Sequence, residues 1–75
     1  MTPKPTRVTN RIRRLRQDAG EMTQADLARC IGVTRQTVIA IEQGRYSPSL
    51  EVAFQIARVF GLPLDGVFQY DPPPD

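Results

Sequence analysis

The sequence has no histidine and one cysteine, Cys30. A single thiol rules out an internal disulfide framework, and without imidazoles it leaves no ligand set for a structural metal. It suits a reducing compartment, so the expected location is the cytoplasm. Long apolar runs are also missing. The longest, Val38–Ile41, is one helical turn, whereas a spanning helix needs about 20 residues. No basic start leads into an apolar stretch, so neither a secretory signal nor a membrane partner is expected. There is no glycine-rich phosphate loop and no nucleophile elbow, and the chain is too small for a substantial pocket. These absences argue against an enzyme and against a small-molecule cofactor.

What is present is small and unevenly charged. A chain of 75 residues makes one domain and, at that size, buries only about 60% of the surface its unfolded form exposes. It needs close helical packing, a partner subunit, or both. Net charge is only +2, but residues 1–46 carry nine Lys/Arg against four Asp/Glu, and residues 47–75 carry one against four. Such asymmetry fits one face for a polyanion and another turned away from it. It fits an ordinary solvated surface equally well.

Residues 1–8 contain two prolines and no apolar period, and read as a basic flexible arm. Residues 71–75, Asp-Pro-Pro-Pro-Asp, suit neither helix nor central strand and read as a stiff tail. Residues 9–70 read as one all-α domain of four to five short helices. Val8, Ile12, Leu15 and Ala19 recur at helical spacing, predicting a first helix over 9–19. Thr23 and Asp26 make a capping-box pattern for a second, with Leu27, Ala28 and Ile31 inward and Gly32 as its stop. Thr34 caps a third, running to Gln43, with Val38 and Ile41 inward. Ser47-Pro48 or Ser49 opens a fourth, whose core stripe is Leu50, Ala53, Ile56, Ala57 and Phe60. A short fifth turn is predicted over 63–68, and the one stretch with any strand-like alternation is Val67 to Tyr70.

The informative unit is residues 24–43. Two helices that cross closely need a small residue at the crossing, and Ala28 stands there. A sharp reversal needs positive φ, which Gly32 supplies at little cost. Val38 and Ile41 then plug the angle between the helices and leave the outer face of the third helix exposed. A helical hairpin with no role in DNA binding can use any one of these features; all of them in register are far more specific.

The stretches Thr23-Gln24-Ala25-Asp26-Leu27-Ala28, Gly32-Val33-Thr34-Arg35-Gln36-Thr37-Val38 and Ile41-Glu42-Gln43-Gly44-Arg45 resemble the Cro/cI-type, or xenobiotic-response-element, helix-turn-helix proteins. The resemblance extends over residues 9–70. It implies a lambda-repressor-like domain that binds double-stranded DNA and regulates transcription, as a repressor. The third helix would be the recognition helix, with Arg35 and Gln36 reading base edges. Arginine can bridge guanine O6 and N7, and glutamine can pair with adenine N6 and N7. Ile39 and Ala40, one turn on, either touch thymine methyls or, for Ile39, sit half-buried against a neighbouring helix. Thr23, Gln24, Thr34 and Arg45 would hold phosphates, the two threonines also serving as plain N-caps. Arg11, Arg13 and Arg14 fit a solvated helix face better than a contact. Arg16 and Glu42 would form an ion pair that fixes the recognition helix. The chain departs from the family pattern at Glu21, an apparent insertion expected to bulge locally, and at Cys30, expected to be inert and partly covered.

One unit reads few base pairs, so the resemblance implies a homodimer on a palindromic operator. The candidate interface is Val59, Leu62, Leu64, Val67, Phe68 and Tyr70 with part of the fourth helix; the same residues can instead close the monomer's core. An alternative is a protein-interaction module of the same fold, such as an antitoxin or adaptor with a partner protein on that apolar patch.

Overall fold

The structure is a computed structural model that describes residues 6–45 and 47–70. The tail expected at 71–75 and the first five residues of the arm lie outside the described residues. The chain runs β1 (Val8–Asn10), α1 (Ile12–Asp18), α2 (Gln24–Ile31), α3 (Arg35–Glu42), α4 (Leu50–Phe60), α5 (Leu64–Val67) and β2 (Phe68–Tyr70). The five helices match the expected fold class, and a two-stranded antiparallel sheet is added to them. Val8 pairs with Tyr70, Thr9 with Gln69 and Asn10 with Phe68.

The starts of α2, α3 and α4 follow side-chain capping. Thr23 Oγ1 accepts from the Asp26 amide at 2.9 Å, and the Asp26 carboxylate accepts from the Thr23 amide at 3.1 Å. Two first-turn donors that would otherwise lack partners are thus satisfied reciprocally. Thr34 caps α3 through the Thr37 amide, and Ser49, rather than Ser47, caps α4 through the Val52 amide. Gly32 ends α2 at φ 69°, which turns the chain directly into the Thr34 cap.

One core results, drawn from every helix. Ile12, Leu27, Val38, Ile41, Ile56 and Val67 are its largest fully buried side chains. Each contributes about 1.5–3 kcal/mol by leaving water. Val8, Leu15, Val52, Val59, Phe60 and Leu64 pack around it half-buried.

The structure corrects several sequence expectations. The first helix begins at Ile12, not residue 9, because Thr9 and Asn10 pair with β2. Asn10 Oδ1 instead accepts from the Ile12 amide at 3.1 Å, a local bond that turns the chain out of the strand into α1. Val8 therefore belongs to the sheet, not to a loose arm. Ala19 follows the last turn of α1 and is exposed. Leu50 is 65% exposed because it occupies the first position of α4, where the helix has not yet met the core. Cys30, expected to be partly covered, is exposed on the outer face of α2. The extra residue near Glu21 is absorbed by two successive left-handed residues, Gly20 at φ 77° and Glu21 at φ 60°. The Met22 amide then returns to the Arg16 carbonyl at 3.0 Å, closing α1 before the chain enters α2.

Candidate nucleic-acid interface

Val38 and Ile41 are anchored in the core, which turns the other side of α3 outward. Arg35 and Gln36 stand exposed on its first turn, while Ile39 and Ala40 are half-buried. The α3 N-terminus carries the Thr34 cap, whose hydroxyl also lies 3.0 Å from the Thr37 hydroxyl. Arg45 is exposed just past the C-terminal end, its amide bonded to the Ala40 carbonyl at 3.0 Å.

The geometry of α3 is tied to α1 and α2 by one charged cluster. Arg16 Nε donates to Glu42 Oε2 at 2.7 Å and its NH2 group to Oε1 at 3.0 Å. A further donor of the same guanidinium bonds the Met22 carbonyl at 2.8 Å. Gln24 Nε2 donates to Glu42 Oε1 at 3.3 Å. The pair is bidentate and little hydrated, with side chains 12% and 7% exposed. Gln24 is therefore half-buried and engaged with Glu42, whereas the sequence suggested a phosphate contact for it.

Around this cluster runs an open cleft of about 640 Å³ between α1, the start of α2 and α3. Its walls bring together Thr23, Gln24 and Arg35 from the sequence prediction, and add Arg13, Gln17 and Gln43. Arg13 had read as part of a solvated face. Its position one turn before Arg16 on α1 was the signal that placed it beside the cleft. Among the described residues neither Arg13 nor Arg35 forms an ion pair. With Glu21 they line the cleft at the amide-bearing N-terminus of α2, where two cations against one exposed carboxylate suit an anionic backbone. The Asp26 carboxyl at that terminus lies below its usual range, first because the Thr23 backbone amide donates to it, then through the Thr23 hydroxyl and Arg29.

The candidate dimer residues are divided by the structure. Val67 and Phe68 are buried in the chain's own core, Val59 and Leu64 are half-buried, and Leu62 and Tyr70 are exposed. Leu64, Phe68 and Tyr70 come together in an apolar groove of about 600 Å³ that also takes in Val8, Pro48, Leu50 and Ala53. Val59 and Leu62 are not part of it. Among the described residues, no helix is long and apolar enough to cross a membrane.

A helix-turn-helix family model matches residues 12–67, from the start of α1 to the end of α5. The chain is 54% identical over 50 residues to an uncharacterized HTH-type transcriptional regulator of Methanocaldococcus jannaschii, covering 67% of this chain and 76% of the relative. It is 46% identical over 61 residues to another such regulator from Archaeoglobus fulgidus, covering 81% and 86%. The cryptic phage CTXphi transcriptional repressor RstR of Vibrio cholerae is 36% identical over 56 residues, covering 75% of this chain and 50% of the repressor. With the helical pair α2–α3, the match across all five helices and these relatives, the chain belongs to the Cro/cI-type helix-turn-helix family of DNA-binding transcriptional regulators.

Proposed function

We propose that the protein is a repressor that reads a palindromic operator as a homodimer. The observation that carries this reading is the exposure of Arg35 and Gln36 on α3, above a buried Val38 and Ile41 and beside the cation-flanked cleft. Arg35 and Gln36 read base edges in the major groove. Ile39 and Ala40, half-buried, offer apolar contact to thymine methyls at the edge of the footprint. Thr23, Thr34 and Arg45, with Arg13 added, hold the backbone on either side, and Gln24 acts mainly through Glu42. The name of the RstR relative supports repression. The reading places the protein in the cytoplasm with the genome it binds.

The homodimer is supported by the apolar groove. Leu50 and Tyr70 are 65% and 66% exposed at its rim, and a small DNA-reading unit needs a second copy to cover enough base pairs. The surface this favours is Leu50, Leu64 and Tyr70 with Val8, in place of the wider set suggested by sequence. The same groove also supports a second reading, in which a partner protein occupies it.

Selection of bound duplexes from a random pool tests the function. Recovery of an inverted repeat with a fixed half-site spacing is the expected result. Recovery of no preferred sequence, with a partner protein bound instead, would establish the second reading.

A further inference from the structure

Asn10 was not among the residues singled out by sequence, yet its side chain joins three elements. Its backbone lies in β1 opposite Phe68. Its Oδ1 accepts from the Ile12 amide at the start of α1, and its Nδ2 donates to the Ile41 carbonyl at 2.9 Å. Ile41 is in the last turn of α3, next to Glu42, and its carbonyl also accepts from the Gly44 amide at 3.1 Å. The last turn of α3 is thus held twice by the N-terminal segment: at Ile41 by a neutral amide and at Glu42 by the Arg16 guanidinium. Carbonyls at a helix C-terminus have no partner within the helix, so a fixed external donor there restrains both tilt and rotation.

We infer that Asn10 is a positioning residue for DNA reading. It sets the pose of α3, and with it the direction in which Arg35 and Gln36 project. The inference rests on the proposed function, because pose matters only if α3 reads DNA. Both polar groups of the side chain are used. Aspartate or serine keeps an oxygen for the Ile12 amide but lacks the amide donor to Ile41. The two substitutions therefore remove the α3 contact while leaving the turn into α1.

The probe is the duplex recovered by the wild type from a random pool, compared with a scrambled duplex of equal length. In Asn10→Ser and Asn10→Asp, preference for the recovered duplex should fall roughly tenfold, the scale of one well-placed hydrogen bond. Affinity for the scrambled duplex should stay nearly constant in Asn10→Ser, because phosphate contacts carry it, whereas the added negative charge of Asn10→Asp should weaken both duplexes alike on top of the lost preference. Ser49→Ala is the control. It removes the α4 cap, lowers thermal stability without touching α3, and should keep the preference. Retained preference in both Asn10 variants overturns the inference and leaves the function standing. A wild type that recovers no sequence overturns the function and the inference together. Should both variants fail to fold, NMR of the wild type decides. On adding the recovered duplex, the Asn10 side-chain amide must shift together with the backbone amides of residues 42–44. Shifts at Arg35 and Gln36 without any at Asn10 overturn the inference.

Discussion

Arg16 and Glu42, 26 positions apart, meet in a two-pronged ion pair that locks α1 to the last turn of α3. Removing one partner strands a poorly hydrated charge. Arg16→Ala or Glu42→Ala should therefore cost about 3–5 kcal/mol, a scale set by buried pairs from which one partner is deleted. The paired replacement Arg16→Met with Glu42→Leu should restore much of that stability, since two apolar side chains need no compensation. Thermal or urea unfolding of the three variants checks both statements. If the pair orients α3, the apolar double variant will be stable yet bind the selected duplex less selectively than the wild type.

Arg35 is expected to carry sequence preference rather than general attraction to DNA. Arg35→Ala should lose about 1–3 kcal/mol of discrimination between selected and scrambled duplexes. Arg45→Ala, a variant just beyond α3, should weaken binding to both duplexes alike. It should also reduce the slope of log affinity against log salt by about one phosphate's share. Fluorescence anisotropy across a salt series separates the two behaviours. An Arg35→Ala protein with undiminished preference would remove that residue from the reading set.

Glu21 has a left-handed backbone at φ 60°, which an ordinary side chain adopts only with strain. Glu21→Gly should relieve that strain and stabilise the fold by about 0.5–1 kcal/mol, net of the greater freedom glycine has when unfolded. Chemical denaturation reads the change directly. A destabilised Glu21→Gly protein would mean that the glutamate side chain itself holds the turn.

The capping box at the start of α2 should respond to acid. The Asp26 carboxyl titrates below its ordinary value in the folded chain, chiefly because it accepts from the Thr23 amide. A depressed folded value means that its stabilisation is fully present above the unfolded value and is lost as pH falls through the folded one. Amide exchange in α2 should accelerate as pH drops below about 4, beyond the intrinsic trend for free amides. In Asp26→Asn this extra acceleration should be absent.

A charge placed on the apolar rim should separate the copies. Leu50→Glu changes an exposed position without emptying the core, so folding should persist while the proposed dimer weakens at least tenfold. Light scattering at micromolar concentration would show it. A wild type already monomeric at that concentration would overturn the homodimer reading of the groove.

The helical part of this architecture was legible because its signals are local. Thr23 with Asp26, Thr34 and Gly32 each act within a few residues, so α2, the turn and α3 could be placed from spacing alone. The sheet was legible only in part: the strand-like stretch Val67 to Tyr70 holds β2, but β1 and the pairing were hidden, because the strands are three residues each and meet across 60 or so positions. Val8 and Ile12 are four apart, which mimics a helical stripe, and only pairing with Tyr70 decides otherwise. The same distance hid Asn10. It falls within the helix expected over 9–19 and draws no attention there, although asparagine two positions before Ile12 suits a turn into a helix better than the helix itself. At the site, Arg35 and Gln36 could be picked out by their place on α3, whereas the engagement of Gln24 by Glu42 depends on how α1 and α3 meet.

The pairing of Val8 with Tyr70 has a consequence for synthesis. A nascent chain still lacking its last strand has nothing to pair with β1, and the Phe68 side chain is missing from the core. Helices can form as they leave the ribosome, but the tie between the two strands cannot close until the end of the domain has emerged. Nascent chains halted before residue 68 should therefore remain protease-sensitive, and resistance should appear abruptly once residue 70 clears the exit tunnel.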